Sequence, residues 1–237
     1  MEYADAGDLG THIKRHREEV KEHFPEKQVR NWLVQLSLAL QYLHTKVRVM
    51  HRDVKPANIF MTSTKLLKLG DFGVSKILSP GIDYTSTQIG TPINLCPEIV
   101  NGQSYDFKSD IWSLGCVIYE ACQLKHAFQA STFDDIMRNI KTASYTPIPS
   151  MYSTTLSDLI RVMLKVDPCR RPTAYQLATC QALKEDFEQQ LEHVRNLPAS
   201  SRSSDASSDS ATKNSCSSMG SGEATSSGVY SGELKQE

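Results

Sequence analysis

No stretch of this chain approaches the roughly 18 consecutive apolar residues that a membrane-spanning helix needs, so a membrane protein of the helical kind is not expected. An excess of one charge is also missing. Lys plus Arg is 26 and Asp plus Glu is 27, a formal net charge of -1, which excludes a whole-molecule basic field for nucleic acid. The first ten residues, MEYADAGDLG, hold two Asp and one Glu and no apolar run, so they do not read as a signal peptide. The six Cys form no Cys-x-x-Cys pair and no metal-ligand pattern with His. Without a secretory signal they are expected to be free, buried thiols, with Cys116 and Cys122 acting as small hydrophobes in an apolar run. The seven His are scattered, and most are expected at the surface. A soluble, intracellular, cytoplasmic protein is the expectation.

What is present divides sharply. Residues 200–237 contain fourteen Ser and four Gly and almost no large apolar side chains. Such a segment cannot bury enough surface to offset the entropy of ordering it. We expect a Ser-rich disordered tail over 193–237, open to phosphorylation, and a folded domain over 1–192.

Within that domain the pattern is mainly helical. Val29, Trp32, Leu33, Leu36, Leu40 and Leu43 recur at helical spacing, predicting a helix over 26–46. Ile59-Phe60-Met61 and Leu66 to Leu69 flank Thr62-Ser63-Thr64-Lys65, which predicts a small hairpin. Residues 74–107 are rich in Gly, Pro, Ser and Thr and predict a long loop. Ile111 to Leu124 is apolar nearly all round and predicts a buried helix. Further helices are expected at 132–141, 154–165 and 173–192.

Two short motifs carry chemistry. His51-Arg52-Asp53-Val54-Lys55-Pro56-Ala57-Asn58 follows the long helix, and Asp71-Phe72-Gly73 begins eighteen positions after Asp53. Their order around a hairpin, followed by Gly90-Thr91-Pro92, Cys96-Pro97-Glu98, Asp110 to Gly115 and Arg171-Pro172, resembles the eukaryotic protein kinases. Met1-Glu2-Tyr3 with Gly7-Asp8-Leu9, and Lys68 to Gly73, resemble the NIMA-related (Nek) Ser/Thr kinases. The resemblance implies the C-terminal lobe of the α+β kinase fold, mainly α-helical, with small β-hairpins around the catalytic and magnesium loops.

The resemblance also assigns roles. Asp53 would accept the hydrogen bond of a substrate hydroxyl, and Lys55 would steady the transferring phosphoryl group. Asn58 and Asp71 would offer magnesium the hard oxygen ligands it requires. Glu2, Tyr3, Ala4, Asp8 and Phe60 would surround ATP, with Phe60 as the apolar floor beneath adenine. Thr91 together with Lys55 favours Ser/Thr over Tyr substrates. Thr87 is the candidate phosphorylation site of the activation segment, and Arg52 would receive that phosphate. Gly73 would let the backbone turn after the metal ligand, and His51 would stack with Phe72. Glu98 and Arg171 would form a buried ion pair, and Asp110 would hold the catalytic-loop backbone. Two positions depart from the family: Ile93-Asn94 stands where two aromatics are usual, and Cys96 where a Ser or Ala is usual. Both bear on peptide preference.

The 237 residues contain no Gly-x-Gly-x-x-Gly ahead of the catalytic loop and no Val-Ala-Ile-Lys segment. The expectation is therefore a kinase large lobe whose N-terminal lobe is absent. It is read as a form of a Ser/Thr kinase that uses ATP and Mg2+ on protein substrates. The alternative is a catalytically inactive binding or regulatory module. A regulatory protein partner is compatible with either. No nucleic acid and no membrane are expected as partners, and nuclear or cytoskeletal association is compatible with the family.

Overall fold

The order of helices follows from where caps and breakers fall. The computed structural model describes residues 4–71 and 94–197. Helix α1 (Leu9–Arg15) starts at Asp8, whose carboxylate accepts from the Thr11 amide at 2.9 Å. It buries Leu9 and Ile13, one turn apart, and was not foreseen in the sequence. A π-type turn (His16–Val20) closes it, with Lys21 left-handed at φ 57°.

Helix α2 (Glu26–Tyr42) continues into a second π-type turn (Leu43–Val47), matching the expected span of 26–46. Its periodic residues Val29, Trp32, Leu33, Leu36, Leu40 and Leu43 are all buried. The turn ends at left-handed Arg48, and the chain drops into the segment that carries the motif.

The expected hairpin is present. Strands β1 (Ile59–Met61) and β2 (Leu67–Leu69) pair antiparallel, with Ile59 opposite Leu69. Residues ahead of α1 lie against β1. The Ala6 amide donates to the Met61 carbonyl at 3.0 Å, the Met61 amide to Gly7 at 2.7 Å, and Asp8 bridges Phe60.

The expected loop 74–107 is corrected in its second half, while its residues 74–93 lie outside the described residues. A short helix α3 (Pro97–Val100) stands inside it, with Pro97 at a position where no amide partner is needed. Helix α4 (Phe107–Gln123) begins four residues before the expected Ile111. Asp106 and Ser109 form a reciprocal capping box that fixes the earlier start. Fourteen consecutive residues, Ser109 to Cys122, are buried, so α4 runs through the core, packed between α2 and a later helix, Thr154–Met163.

Helix α5 (Phe133–Thr142) and helix α6 (Thr154–Met163) start at the hydroxyl caps Thr132 and Ser153. Gly115 of α4 lies so close to α6 that an added Cβ would meet Met163 Cβ and Leu164 Cδ2 at 2.9 Å. The expected helix 173–192 is corrected to two: α7 (Ala174–Ala178) and α8 (Lys184–Asn196), joined by a 3₁₀ turn (Gln181–Leu183). The Thr179 hydroxyl bonds back to the Tyr175 carbonyl at 2.8 Å, and Cys180 is extended, which ends α7. The packing explains the break. Helix α7 turns Ala174, Leu177 and Ala178 inward, whereas α8 is fastened to α2 by Arg30 and Asp186 at 2.6 Å.

The expectation for histidine is also corrected. Of seven His, His193 alone is exposed. His12 and His16 bond to the Ala6 and Glu22 carbonyls six residues away, and His23 to the distant Cys122 carbonyl at the end of α4, all at 2.8–2.9 Å. Cys96, Cys116 and Cys122 are free and buried, but Cys169 is free and exposed. Among the described residues no helix is long and apolar enough to cross a membrane.

Candidate active site

The N-terminal end of α4 and the segment after α2 build the site together. Asp110, fully buried, accepts from the amides of His51 and Arg52, both at 2.9 Å. His44 Nε2–H donates to the same carboxylate at 2.8 Å, and the Tyr105 hydroxyl at 2.6 Å. Burial alone would raise the Asp110 pKa, yet these four donors hold it below the ordinary carboxylate value. The same contact, with burial, pushes the Tyr105 phenol well up. One carboxylate thus clamps the turn, and Arg52 is held left-handed at φ 67°.

His51 links the two motifs. Its Nε2–H donates to the Gly70 carbonyl at 3.0 Å, and its Nδ1 accepts from the Asp53 amide at 3.3 Å. Those partners define the neutral tautomer with the proton on Nε2. Burial, the main cause, lowers its pKa in the same direction. His51 is therefore a neutral strut.

Asp53 and Lys55 project outward, about half exposed, with Nζ 2.7 Å from Asp53 Oδ2. A 3₁₀ turn (Pro56–Asn58) returns the chain so that Asn58, buried, donates from Nδ2 to the Asp53 carbonyl and to Oδ2, both at 2.9 Å. The hairpin register then sets Asp71. Gly70 donates its amide to the Asn58 carbonyl at 2.9 Å and lies across from it in the register, so Asp71 leaves the hairpin one residue beyond Asn58's partner. Asp71 is exposed and left-handed at φ 54°. Phe60 is half-buried, and its ring lies over Gly70, where an added Cβ would meet it at 2.7 Å.

The structure brings Asp53, Lys55, Asn58 and Asp71 to one mouth, with Phe60 beside it. Ala4 lies half-buried ahead of the Ala6–Met61 pairing. Both oxygens of Asp8 are engaged by Thr11 at the start of α1, and these bonds lower its pKa against the opposing effect of burial. Glu2, Tyr3, Phe72, Gly73, Thr87 and Thr91 lie outside the described residues.

A second cluster anchors α3. Glu98 and Arg171 form a two-armed pair at 2.7 Å on each arm, with side-chain exposures of 3% and 0%. Ser109 Oγ–H adds a bond to Glu98 at 2.6 Å. Burial would raise the Glu98 pKa, but Arg171 and Ser109 hold it below the usual value. Arg171 also donates to the carbonyls of Lys165, Lys108 and Val166, and its guanidinium lies 5.0 Å over the Trp112 ring. The Cys96 thiol, beside this charge and buried, is pushed up to about 12 and stays protonated.

His44, Tyr105 and Ser109 were not foreseen as supports. His44 stands 66 positions from Asp110, and nothing local in the sequence marks that contact. Tyr105 directly precedes the Asp106 cap, which is the one signal that could have drawn attention to it.

The protein kinase domain family matches residues 1–186. Mouse serine/threonine-protein kinase Nek3 is 43% identical over 177 residues, covering 75% of this chain and 34% of that protein. Mouse serine/threonine-protein kinase Nek4 is 42% identical over 173 residues, covering 73% and 21%. The G2-specific protein kinase fin1 of Schizosaccharomyces pombe is 39% identical over 213 residues, covering 82% and 29%. The chain spans about a third or less of the length of these relatives. A catalytic-loop turn clamped by Asp110, a hairpin that carries Asn58 and Asp71 at its open end and these matches lead to one conclusion: the chain belongs to the protein kinase family, among the Nek-related serine/threonine kinases.

Proposed function

We propose that residues 1–196 supply the large-lobe half of a serine/threonine kinase site that transfers the γ-phosphate of ATP to a protein hydroxyl, and that the Ser-rich tail expected from 193 begins only after α8 ends at Asn196. The observation that carries this is the shared use of Asp53 Oδ2. Lys55 and Asn58 both donate to it, at 2.7 and 2.9 Å. That leaves Oδ1 to accept a substrate hydroxyl. The substrate oxygen attacks the γ-phosphorus, the bond to the β,γ-bridging oxygen breaks, ADP leaves, and the hydroxyl proton passes to Asp53. Lys55, two residues on, places its ammonium where the transferring group carries negative charge.

The donor set fits magnesium. Asn58 turns its amide nitrogen to Asp53, so its Oδ1 faces away from that bond, and Asp71 is an exposed carboxylate across the hairpin. One amide oxygen and one carboxylate suit a cation that keeps waters and takes its other ligands from phosphate. Magnesium bound there would neutralise charge on the β- and γ-phosphates. Thr91 and Lys55 favour Ser/Thr acceptors, and Phe60, with Glu2, Tyr3, Ala4 and Asp8, borders the adenine side. Thr87 is the modification site we assign to the activation segment, with Arg52 as its receptor. An intracellular setting and regulatory partners follow the same family reading.

The test is transfer of labelled γ-phosphate by a fusion of a protein-kinase small lobe to residues 1–237, with serine, threonine and tyrosine peptides. Label on the serine and threonine peptides is expected, and little from the 237-residue chain alone. A folded fusion that labels tyrosine only, or nothing, overturns the proposal.

A further inference from the structure

Away from the catalytic loop, an open groove of about 730 Å³ runs between α3, the end of α5 and the loop leaving α6. Its size lies within the range of specific ligand sites. Three cations line it: Arg161, Lys165 and Arg170. Two carboxylates line it as well, of which one is neutralised by a cation. Glu98 is locked in the buried pair with Arg171, and Asp167 accepts from the Cys169 amide at 2.9 Å. Asp158 balances Arg161 at 2.7 Å through an exposed pair, which a competing carboxylate can exchange at little cost. Beside these cations the wall is apolar, with Val166 left 38% exposed.

We infer that this groove docks an acidic peptide segment of a partner protein. Its carboxylates meet Arg161, Lys165 and Arg170, and one apolar side chain covers Val166. Charge complementarity decides the occupant: Glu98 is neutralised by Arg171, so the three cations of the groove outnumber its one remaining carboxylate, Asp167, in a chain whose net charge is -1. A nucleic acid fits less well, since three cations over an apolar wall do not make a phosphate track. The groove also touches Pro97 of α3 and the Lys165–Val166 backbone that Arg171 holds, so an occupant bears on the anchor of α3.

The test uses the full 237-residue chain and a fluorescein-labelled 12-residue peptide of Asp and Glu with a central Leu. Its Asn/Gln counterpart and a 12-nucleotide oligo(dT) serve as comparisons. Saturable anisotropy is expected for the acidic peptide at about 100 mM salt. Combined Arg161→Ala, Lys165→Ala and Arg170→Ala should weaken it by about tenfold. Lys14→Ala, Arg15→Ala and Arg17→Ala, on α1 and the turn after it, should leave it unchanged. Hydrogen exchange on the unmodified chain reads the site without any variant, and slowing is expected in 142–145 and 161–170. No saturable binding, equal loss in both triple variants, or oligo(dT) binding as tightly as the peptide would overturn the proposal. So would protection elsewhere with none in the groove segments.

Discussion

Replacing Arg171 by alanine should destabilise the domain more than any exposed change, and the structure sets the scale. The substitution removes both arms of the Glu98 pair and three bonds to the carbonyls of Lys165, Lys108 and Val166. Glu98 stays 3% exposed and keeps the Ser109 bond alone. Breaking a buried pair from one side costs about 3–5 kcal/mol, because the remaining charge is uncompensated. That is a large share of the 5–15 kcal/mol typical of a whole domain. With a urea slope of about 2 kcal/mol per molar, the midpoint should fall by about 2 M. Trp112 fluorescence reports it directly, since the guanidinium covers that ring.

The sign of the pH dependence follows from Glu98. Its pKa is held below the ordinary value in the fold, so its contribution is present above the unfolded pKa of about 4.5 and is lost as pH falls through the folded value. In the alanine variant burial acts without the cation, so protonating Glu98 relieves the penalty. The gap between the two proteins should therefore be widest near pH 7 and narrow toward about pH 4. The double change Glu98→Leu with Arg171→Leu should cost less than Arg171→Ala alone. A loss under about 1 kcal/mol at pH 7, or a gap that ignores pH, would refute the reasoning.

Three further outcomes follow. Asp110→Asn replaces one acceptor oxygen by a donor that faces two of the four donors, and should cost about 2–3 kcal/mol and speed amide exchange at His51 or Arg52. Gly115→Ala drives a methyl to 2.9 Å from Met163 and Leu164 and should cost about 1–3 kcal/mol in a urea melt, with α6 displaced. The unmodified chain should lose stability as pH falls below about 4.5, because Glu98 and Asp110 are both buried with lowered pKa values; a flat profile from pH 7 to 3 contradicts this.

The parts legible in the sequence are those whose signal is local. The α2 stripe, the β1–β2 hairpin and the all-apolar α4 each carry their own periodicity, and each stands close to its expected place. The helix 173–192 reads as continuous because its pattern never stops; a back-bonded Thr179 and two different packing partners break it. The early start of α4 was written in the Asp106–Ser109 box, which a search for apolar residues passes over. At the site, the motif residues are quotable from sequence, but the clamp that shapes them is not. His44, Tyr105 and the backbone of His51 and Arg52 converge on Asp110 from three separate segments. Long-range convergence of that kind leaves no spacing to read.

The most direct test of the account is single-turnover phosphate transfer by the small-lobe fusion carrying Asp53→Asn. Asparagine keeps the shape but turns an acceptor into a group that cannot take the substrate proton. The account predicts a rate lower by about 10²- to 10⁴-fold with the urea midpoint little changed, since Asp53 is about half exposed and an asparagine there keeps an oxygen to accept from Asn58 Nδ2. An unchanged transfer rate in a folded Asp53→Asn protein would contradict it.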